Sequence, residues 1–78
     1  MMTKVKYLLC EVQRLTRYIE ELKFSMGILK QSAEDDLRIK FNIAYLEDQI
    51  AGAENRRNEI EKMLNAELRN QLEEENVG

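Results

Sequence analysis

The 78-residue sequence contains no proline, no histidine and no tryptophan, and it has only three glycines and one cysteine. Without histidine the chain lacks the commonest metal ligand and the usual acid-base side chain near neutral pH. The single Cys10 allows neither an internal disulfide nor a multi-cysteine metal site, and it favours a reducing compartment. We therefore expect no enzyme, and no catalytic, metal-binding or cofactor-binding residues.

Long apolar runs are also missing from the sequence. The longest strictly apolar stretch covers residues 7–10, whereas a membrane span needs about 20 residues, and no signal-peptide pattern follows the start. These features predict a cytoplasmic protein without a membrane segment.

The absence of proline permits long helices, and both halves of the chain carry the apolar pattern of one. Apolar residues alternate at spacings of three and four, an average repeat of 3.5 residues that predicts left-handed coiled-coil packing. In the second half, one extra step of four shifts the pattern at its end. The predicted oligomer seam consists of Val5, Leu8, Val12, Leu15, Ile19, Leu22, Met26, Leu29, Ile43, Leu46, Ile50, Ile60, Leu64, Leu68 and Leu72.

The pattern is interrupted at residues 31–36, where Ser32 and Asp35 have the spacing of a capping box. We predict a helix at 3–30, a turn at 31–33, a helix at 34–75 and a frayed acidic tail at 73–78. One continuous helix remains an alternative, because neither proline nor glycine lies at the interruption. The predicted fold is a single all-α domain, 1–78, forming an antiparallel two-helix coiled-coil hairpin.

Size and charge predict that two such hairpins assemble as a homodimeric four-helix bundle. A domain this small buries only about 60 to 65% of the surface of its unfolded chain, so a second copy is the available source of stability. Residues 1–33 carry six cations and three anions, and residues 34–78 carry six cations and twelve anions. The two halves therefore attract each other. The predicted overhang of the longer helix, with Leu68 and Leu72, also needs another chain.

Two kinds of residue break the apolar seam. Arg57 occupies a core position, and in an antiparallel hairpin Glu11 is the nearest predicted carboxylate. Such a pair sets the register of the helices, or Arg57 simply extends to solvent past Ala53. Gly27 and Gly52 lie inside the helices; Gly52 either allows another helix to approach closely or is a tolerated weak point.

A second apolar patch lies away from the seam, at the turn end of the predicted hairpin. This predicted partner-binding patch consists of Phe24, Ile28, Leu37, Phe41 and Tyr45. Exposed aromatic residues rimmed by charges are typical of protein-binding surfaces. The alternative is that the patch forms the second half of a homo-oligomer core.

The sequence therefore favours a non-catalytic protein–protein interaction module, a small coiled-coil homo-oligomer. We expect it to act as an inhibitor, adaptor or small chaperone of a larger protein, as small proteins of phages and secretion systems commonly do. One alternative is a nucleic-acid-associated regulator that uses the basic Lys6, Arg14 and Arg17, although the negative total charge disfavours it. The others are an acidic nucleic-acid mimic that uses Glu47, Glu54 and Glu61, and a structural assembly subunit.

Overall fold

Two α-helices account for nearly all of the chain that the structure describes. The structure is a computed structural model that describes residues 2–31 and 36–77, with α1 at Met2–Gln31 and α2 at Leu37–Val77. The predicted all-α fold with two helices packed against each other is confirmed. The alternative of one continuous helix is wrong, because Asp36 is not helical.

The side chain of Asp36 caps the start of α2. Its Oδ1 accepts a hydrogen bond from the backbone N–H of Arg38 over 2.9 Å, and its carbonyl accepts the N–H of Lys40 over 3.2 Å. This geometry makes Asp36 the N-cap residue, so α2 begins at Leu37 and not at the predicted residue 34. The predicted capping box of Ser32 and Asp35 lies outside the described residues. Gln31, predicted to begin the turn, is the last residue of α1.

The predicted apolar seam forms the interface between α1 and α2 within one chain. Val5, Leu8 and Leu15 form one buried cluster with Ile60 and Leu64. A second cluster joins Ile19 to Ile50 and Ala53, with Leu22 and Met26 packed against it. Early residues of α1 thus meet late residues of α2, so the helices are antiparallel. Each fully buried Leu or Ile contributes roughly 1.5 to 3 kcal/mol, and these clusters hold the hairpin together.

The end of α2 differs from the prediction in its tail. The predicted frayed tail at 73–78 is helical through Val77, because strong helix formers such as Gln71 and Glu73 continue without a glycine until residue 78. Leu68 and Leu72 are exposed in the single chain, as expected for residues on an overhang, and their contact with another chain stays a prediction. Glu67 pairs with Lys4 of α1, and both Glu67 and Gln71 are half-buried.

The hairpin is a thin rod with a large surface. It measures 64 × 14 × 14 Å and has a radius of gyration of 18.1 Å, against about 11.5 Å for a compact chain of this length. Its accessible surface is 6391 Å², whereas a compact 9.2 kDa protein exposes about 4,900 Å². A two-layer rod therefore leaves roughly 1,500 Å² more surface in contact with solvent than a compact monomer would.

Candidate interaction surfaces

The predicted partner-binding patch is exposed in the hairpin. Phe24 is 71% exposed and Phe41 67% exposed, and the other three members are each at least half exposed. All five side chains belong to the last turns of α1 or the first turns of α2, which adjoin the turn in an antiparallel hairpin. The structure therefore brings them to one end of the rod, as predicted. Their role as a binding site stays a prediction.

Helix geometry divides these five side chains between two faces of the rod. Phe24 is two residues from both Leu22 and Met26, which pack against α2, so it points about 160° away from them. Phe41 is likewise two residues from Ile39 and Ile43 and points away from α1. The turn end therefore carries aromatic rings on opposite outer faces rather than one continuous patch.

A belt of paired charges crosses one edge of the rod at mid-length. The guanidinium of Arg14 donates two hydrogen bonds to the carboxylate of Glu11, over 3.1 and 3.0 Å. These bonds lower the pKa of Glu11 below its ordinary 4.5 despite some desolvation, and the charges of Arg14 and Arg56 act in the same direction. The same contact raises the pKa of Arg14. Arg56 forms an ion pair of 3.6 Å with Glu59, so the belt contains two cations and two anions.

The opposite edge holds Arg57, and the predicted register pair of Arg57 with Glu11 is wrong. Nη1 of Arg57 donates to Oγ1 of Thr16 across the interface over 3.4 Å. Its buried Nε lies 3.5 Å from Oε1 of Glu61, within ion-pair distance, but it forms no hydrogen bond in the described part of the chain. Glu11 is engaged by Arg14 on its own helix, which leaves Arg57 to pair on the other edge.

The attraction predicted between the two halves is present as ion pairs between the helices. Lys23 lies 3.7 Å from Glu54, and Lys4 lies 3.4 Å from Glu67. In both pairs the cation is on α1 and the anion on α2. Both lysines are well exposed, so each pair contributes no more than about 1 kcal/mol, and the apolar seam dominates the stability.

Several residues of the two nucleic-acid hypotheses, the basic side of α1 and the acidic mimic, form ion pairs within the chain. Arg14, one of three cations on the basic side of α1, is held by Glu11. Glu54 and Glu61, two of the three aligned acids, pair with Lys23 and Arg57. These pairs reduce the charge that either surface presents to a nucleic acid or to its binding protein.

The described residues include an exposed cysteine and a shallow recess, but neither a cluster of metal ligands nor a membrane-spanning helix. Cys10 is exposed, and no group of three or more acidic or cysteine side chains in residues 2–31 and 36–77 is arranged to hold a metal ion. A shallow recess on the outer side of α1 is lined by Cys10, Gln13, Arg14, Arg17, Tyr18 and Glu21. Within the same described ranges, neither helix has the length and apolar character that crossing a membrane requires.

Comparison with protein-family models, curated proteins and solved structures finds no match to this chain.

Four exposed apolar side chains were missed by the sequence reasoning. Tyr7, Tyr18 and Met63 lie on the edge of the charged belt, and Leu9 lies on the edge of Arg57. Tyr18 follows Glu11 by seven residues, and Met63 follows Arg56 by seven, so each shares a helix face with a belt residue. The sequence feature that could have revealed this face is the spacing of four, three and four residues in Tyr7, Glu11, Arg14 and Tyr18. It repeats the heptad rule on a second face of α1.

Proposed function

We propose that this protein is a non-catalytic protein–protein interaction module that works as a homodimer of helical hairpins. It acts as an inhibitor, adaptor or small chaperone of a larger protein. The observation that carries the proposal is the turn end, where Phe24 and Phe41 expose most of their surface on opposite outer faces of the rod. Each buried aromatic side chain removes about 150 to 250 Å² from water, so these two rings are strong candidates for interface anchors.

The shape of the turn end constrains the partner. The rod is 14 Å thick, and its aromatic side chains project from both sides. A flat surface covers only one of these sides, whereas a cleft with two apolar walls covers both. The partner is therefore a protein with a cleft or groove that receives the end of the hairpin, in the way that helices dock in apolar grooves.

The exposed area supports the dimer. A stable interface takes about 800 Å² from each partner, and this chain exposes about 1,500 Å² more than a compact protein of its mass. Packing two hairpins side by side forms a four-helix bundle, which buries part of that excess.

Serine substitutions at the turn end test the proposal. We expect Phe24→Ser and Phe41→Ser, singly and together with Tyr45→Ser, to abolish capture of a partner from a lysate of the source cells. Mass by light scattering and helicity by circular dichroism should stay unchanged. Leu72→Ser is the matched control, because Leu72 is similarly exposed at the other end of the rod, and it should retain capture.

Two outcomes would contradict this function. Capture that survives all three turn-end substitutions would place the partner site elsewhere. A fall in mass caused by the same substitutions would show that the turn end belongs to the oligomer core, as in the alternative that the patch is the second half of a homo-oligomer core.

A further inference from the structure

Four side chains on one face of α1 are spaced so that the face matches a second copy of itself laid in the opposite direction. Tyr7, Glu11, Arg14 and Tyr18 follow one another at spacings of four, three and four residues. Reversing the order exchanges the two tyrosines and places the anion at the level of the cation. Two identical faces laid antiparallel therefore match ring with ring and charge with opposite charge.

This face of α1 is exposed to solvent in the single hairpin. Tyr7 and Tyr18 are both exposed, and the Glu11 and Arg14 side chains lie between them, joined by two hydrogen bonds. On α2 the face continues with Arg56, Glu59 and the half-exposed Met63. We call this surface the belt face; its members are Tyr7, Glu11, Arg14, Tyr18, Arg56, Glu59 and Met63.

We propose that the belt face binds a second copy of this chain, with the two α1 helices antiparallel across a two-fold axis between Glu11 and Arg14. Tyr7 then meets Tyr18 of the second copy, and Glu11 faces Arg14 of the second copy. A two-fold axis requires a self-complementary surface, which this order of residues supplies. The inference names the interface of the dimer in the proposed function and rests on that dimer.

The recess on α1 lies at the level that Tyr7 of the second copy reaches. In knobs-into-holes packing, one side chain enters a hole made by four residues of the facing helix at positions i, i+3, i+4 and i+7. The recess contains such a set in Arg14, Arg17, Tyr18 and Glu21. With the axis between Glu11 and Arg14, Tyr7 of the second copy comes to the level of Tyr18. Its ring therefore enters this hole.

Charge and composition favour a second copy on this face rather than on the opposite edge. The belt has two cations and two anions, so two belts approach without net repulsion although each chain carries −3. Tyrosine, methionine and arginine are enriched in protein interfaces, whereas lysine and glutamate are depleted. The belt face carries two tyrosines, one methionine and two arginines beside two glutamates, whereas the opposite edge carries Arg57 and Leu9 beside Lys23, Glu54 and Glu61.

The belt face supplies a substantial part of the area that a dimer needs. Tyr7, Tyr18 and Met63 are 64%, 40% and 49% exposed, which amounts to roughly 300 Å² if each offers about 200 Å² when fully exposed. A stable interface takes about 800 Å² per partner, and charged and polar side chains supply the remainder. The antiparallel arrangement places the two turn ends at opposite ends of the dimer, so each remains open to a partner.

Charge exchange tests the proposal. Arg14→Glu gathers four acids around the axis, and we expect at least a tenfold weaker dimer by sedimentation equilibrium. The double variant Glu11→Arg with Arg14→Glu restores the alternation of sign within and between chains, and it should restore the dimer. Lys23→Glu is the matched control, since it removes an ion pair on the opposite edge and should leave the dimer unchanged.

Disulfide trapping in a Cys10→Ser background tests the geometry. A mixture of Tyr7→Cys and Tyr18→Cys chains should give the mixed disulfide dimer, and each variant alone should give little product. The distance along the helix between equivalent tyrosines is about 16 Å in this arrangement, too far for a disulfide. Leu9→Cys mixed with Thr16→Cys is the control, because these two positions also match in level about the axis but lie on the edge of Arg57, away from the belt face.

The outcomes separate the interface from the function. If the wild-type chain is a dimer but the mixed Tyr7→Cys and Tyr18→Cys chains form no disulfide and Arg14→Glu leaves the dimer intact, the belt face is overturned and the interaction module still stands. A wild-type chain that is monomeric at about 100 μM, where a dimer of 1 to 10 μM affinity would be mostly assembled, overturns both the interface and the dimer. Loss of partner capture by turn-end variants that remain dimeric bears on the function alone.

Discussion

Arg57 reaches across the helix interface, and its Nη1 donates a hydrogen bond to Oγ1 of Thr16 over 3.4 Å. Arg57 occupies a seam position between Ala53 and Ile60, both of which are buried. Its guanidinium must therefore leave the apolar interface to find oxygen, and its buried Nε receives no acceptor in hydrogen-bonding geometry among the described residues. A polar residue in a coiled-coil core costs stability and favours one register.

Replacing Arg57 with leucine should therefore stabilise the hairpin. We expect Arg57→Leu to raise the free energy of unfolding by about 1 to 2 kcal/mol, because an apolar side chain fills the layer without an unsatisfied donor. Urea denaturation at one fixed protein concentration measures the change. Arg69→Leu, at an exposed arginine of the same helix, should change it by less than about 0.5 kcal/mol. A loss of stability in Arg57→Leu would show that the bond to Thr16 outweighs the cost of the partly buried charge.

The seam and the hairpin could be predicted from the sequence because heptad spacing depends only on local periodicity. The buried residues Val5, Leu8, Leu15, Ile19, Ile60 and Leu64 were all expected at the interface. The partner of Arg57 could not be predicted, since Thr16, Glu11 and Glu61 all lie within reach and the choice depends on which edge of the interface each occupies. Glu11 is on the edge of Arg56, and Arg14 already holds it.

The ends of α2 were harder to predict for a related reason. Ser32, Asp35 and Asp36 are all good cap residues, so only the backbone geometry shows that Asp36 accepts the amide of Arg38. Near the other end, Leu68 and Leu72 follow Leu64 at steps of four residues, which suggested that the seam continues through them. Glu67 continues the seam spacing after Ile60 and Leu64 and pairs with Lys4 of α1, so Leu68 and Leu72 lie off the seam and are exposed.

The cap at the start of α2 should be measurable. Asp36→Ala removes the oxygen that accepts the Arg38 amide, and we expect a loss of about 1 kcal/mol in the free energy of unfolding. Amide hydrogen exchange in the first turn of α2 should accelerate. Asp48→Ala removes an exposed acid from the middle of the same helix and should change the stability little. Equal effects of the two substitutions would exclude a specific cap.

Gly27 offers a stabilising substitution. A Cβ built on Gly27 meets no other atom within 4 Å, and its backbone φ is not positive, so alanine fits without strain. We expect Gly27→Ala to raise the melting temperature and to stabilise the chain by about 0.5 to 1 kcal/mol, because alanine lowers the entropy of the unfolded chain. Gly52→Ala is equally free of contacts within the single chain. If Gly27→Ala destabilises the protein, another helix must approach that position in solution.

The contribution of the Glu11–Arg14 pair to the stability of the fold depends on pH in a direction that can be predicted. The folded pKa of Glu11 is below its ordinary 4.5, so the pair stabilises the fold above about pH 4.5 and stops doing so as the pH falls through the folded pKa. We expect carboxyl NMR titration to show the lowered pKa, and Arg14→Gln to return it toward 4.5. Arg17→Gln, which removes an equal charge from the same helix, should leave it lowered. An ordinary pKa in the wild-type chain would mean that the pair does not persist in solution.

In the proposed dimer, a second copy of the chain covers part of the exposed surface of this thin rod. Sedimentation equilibrium of the wild-type chain, from about 1 to 100 μM, tests that claim most directly, because dimers of micromolar affinity assemble across this range. We predict a mass that rises to about 18 kDa, twice the 9.2 kDa of one chain, and then stays constant. A mass that remains at 9.2 kDa throughout would contradict it.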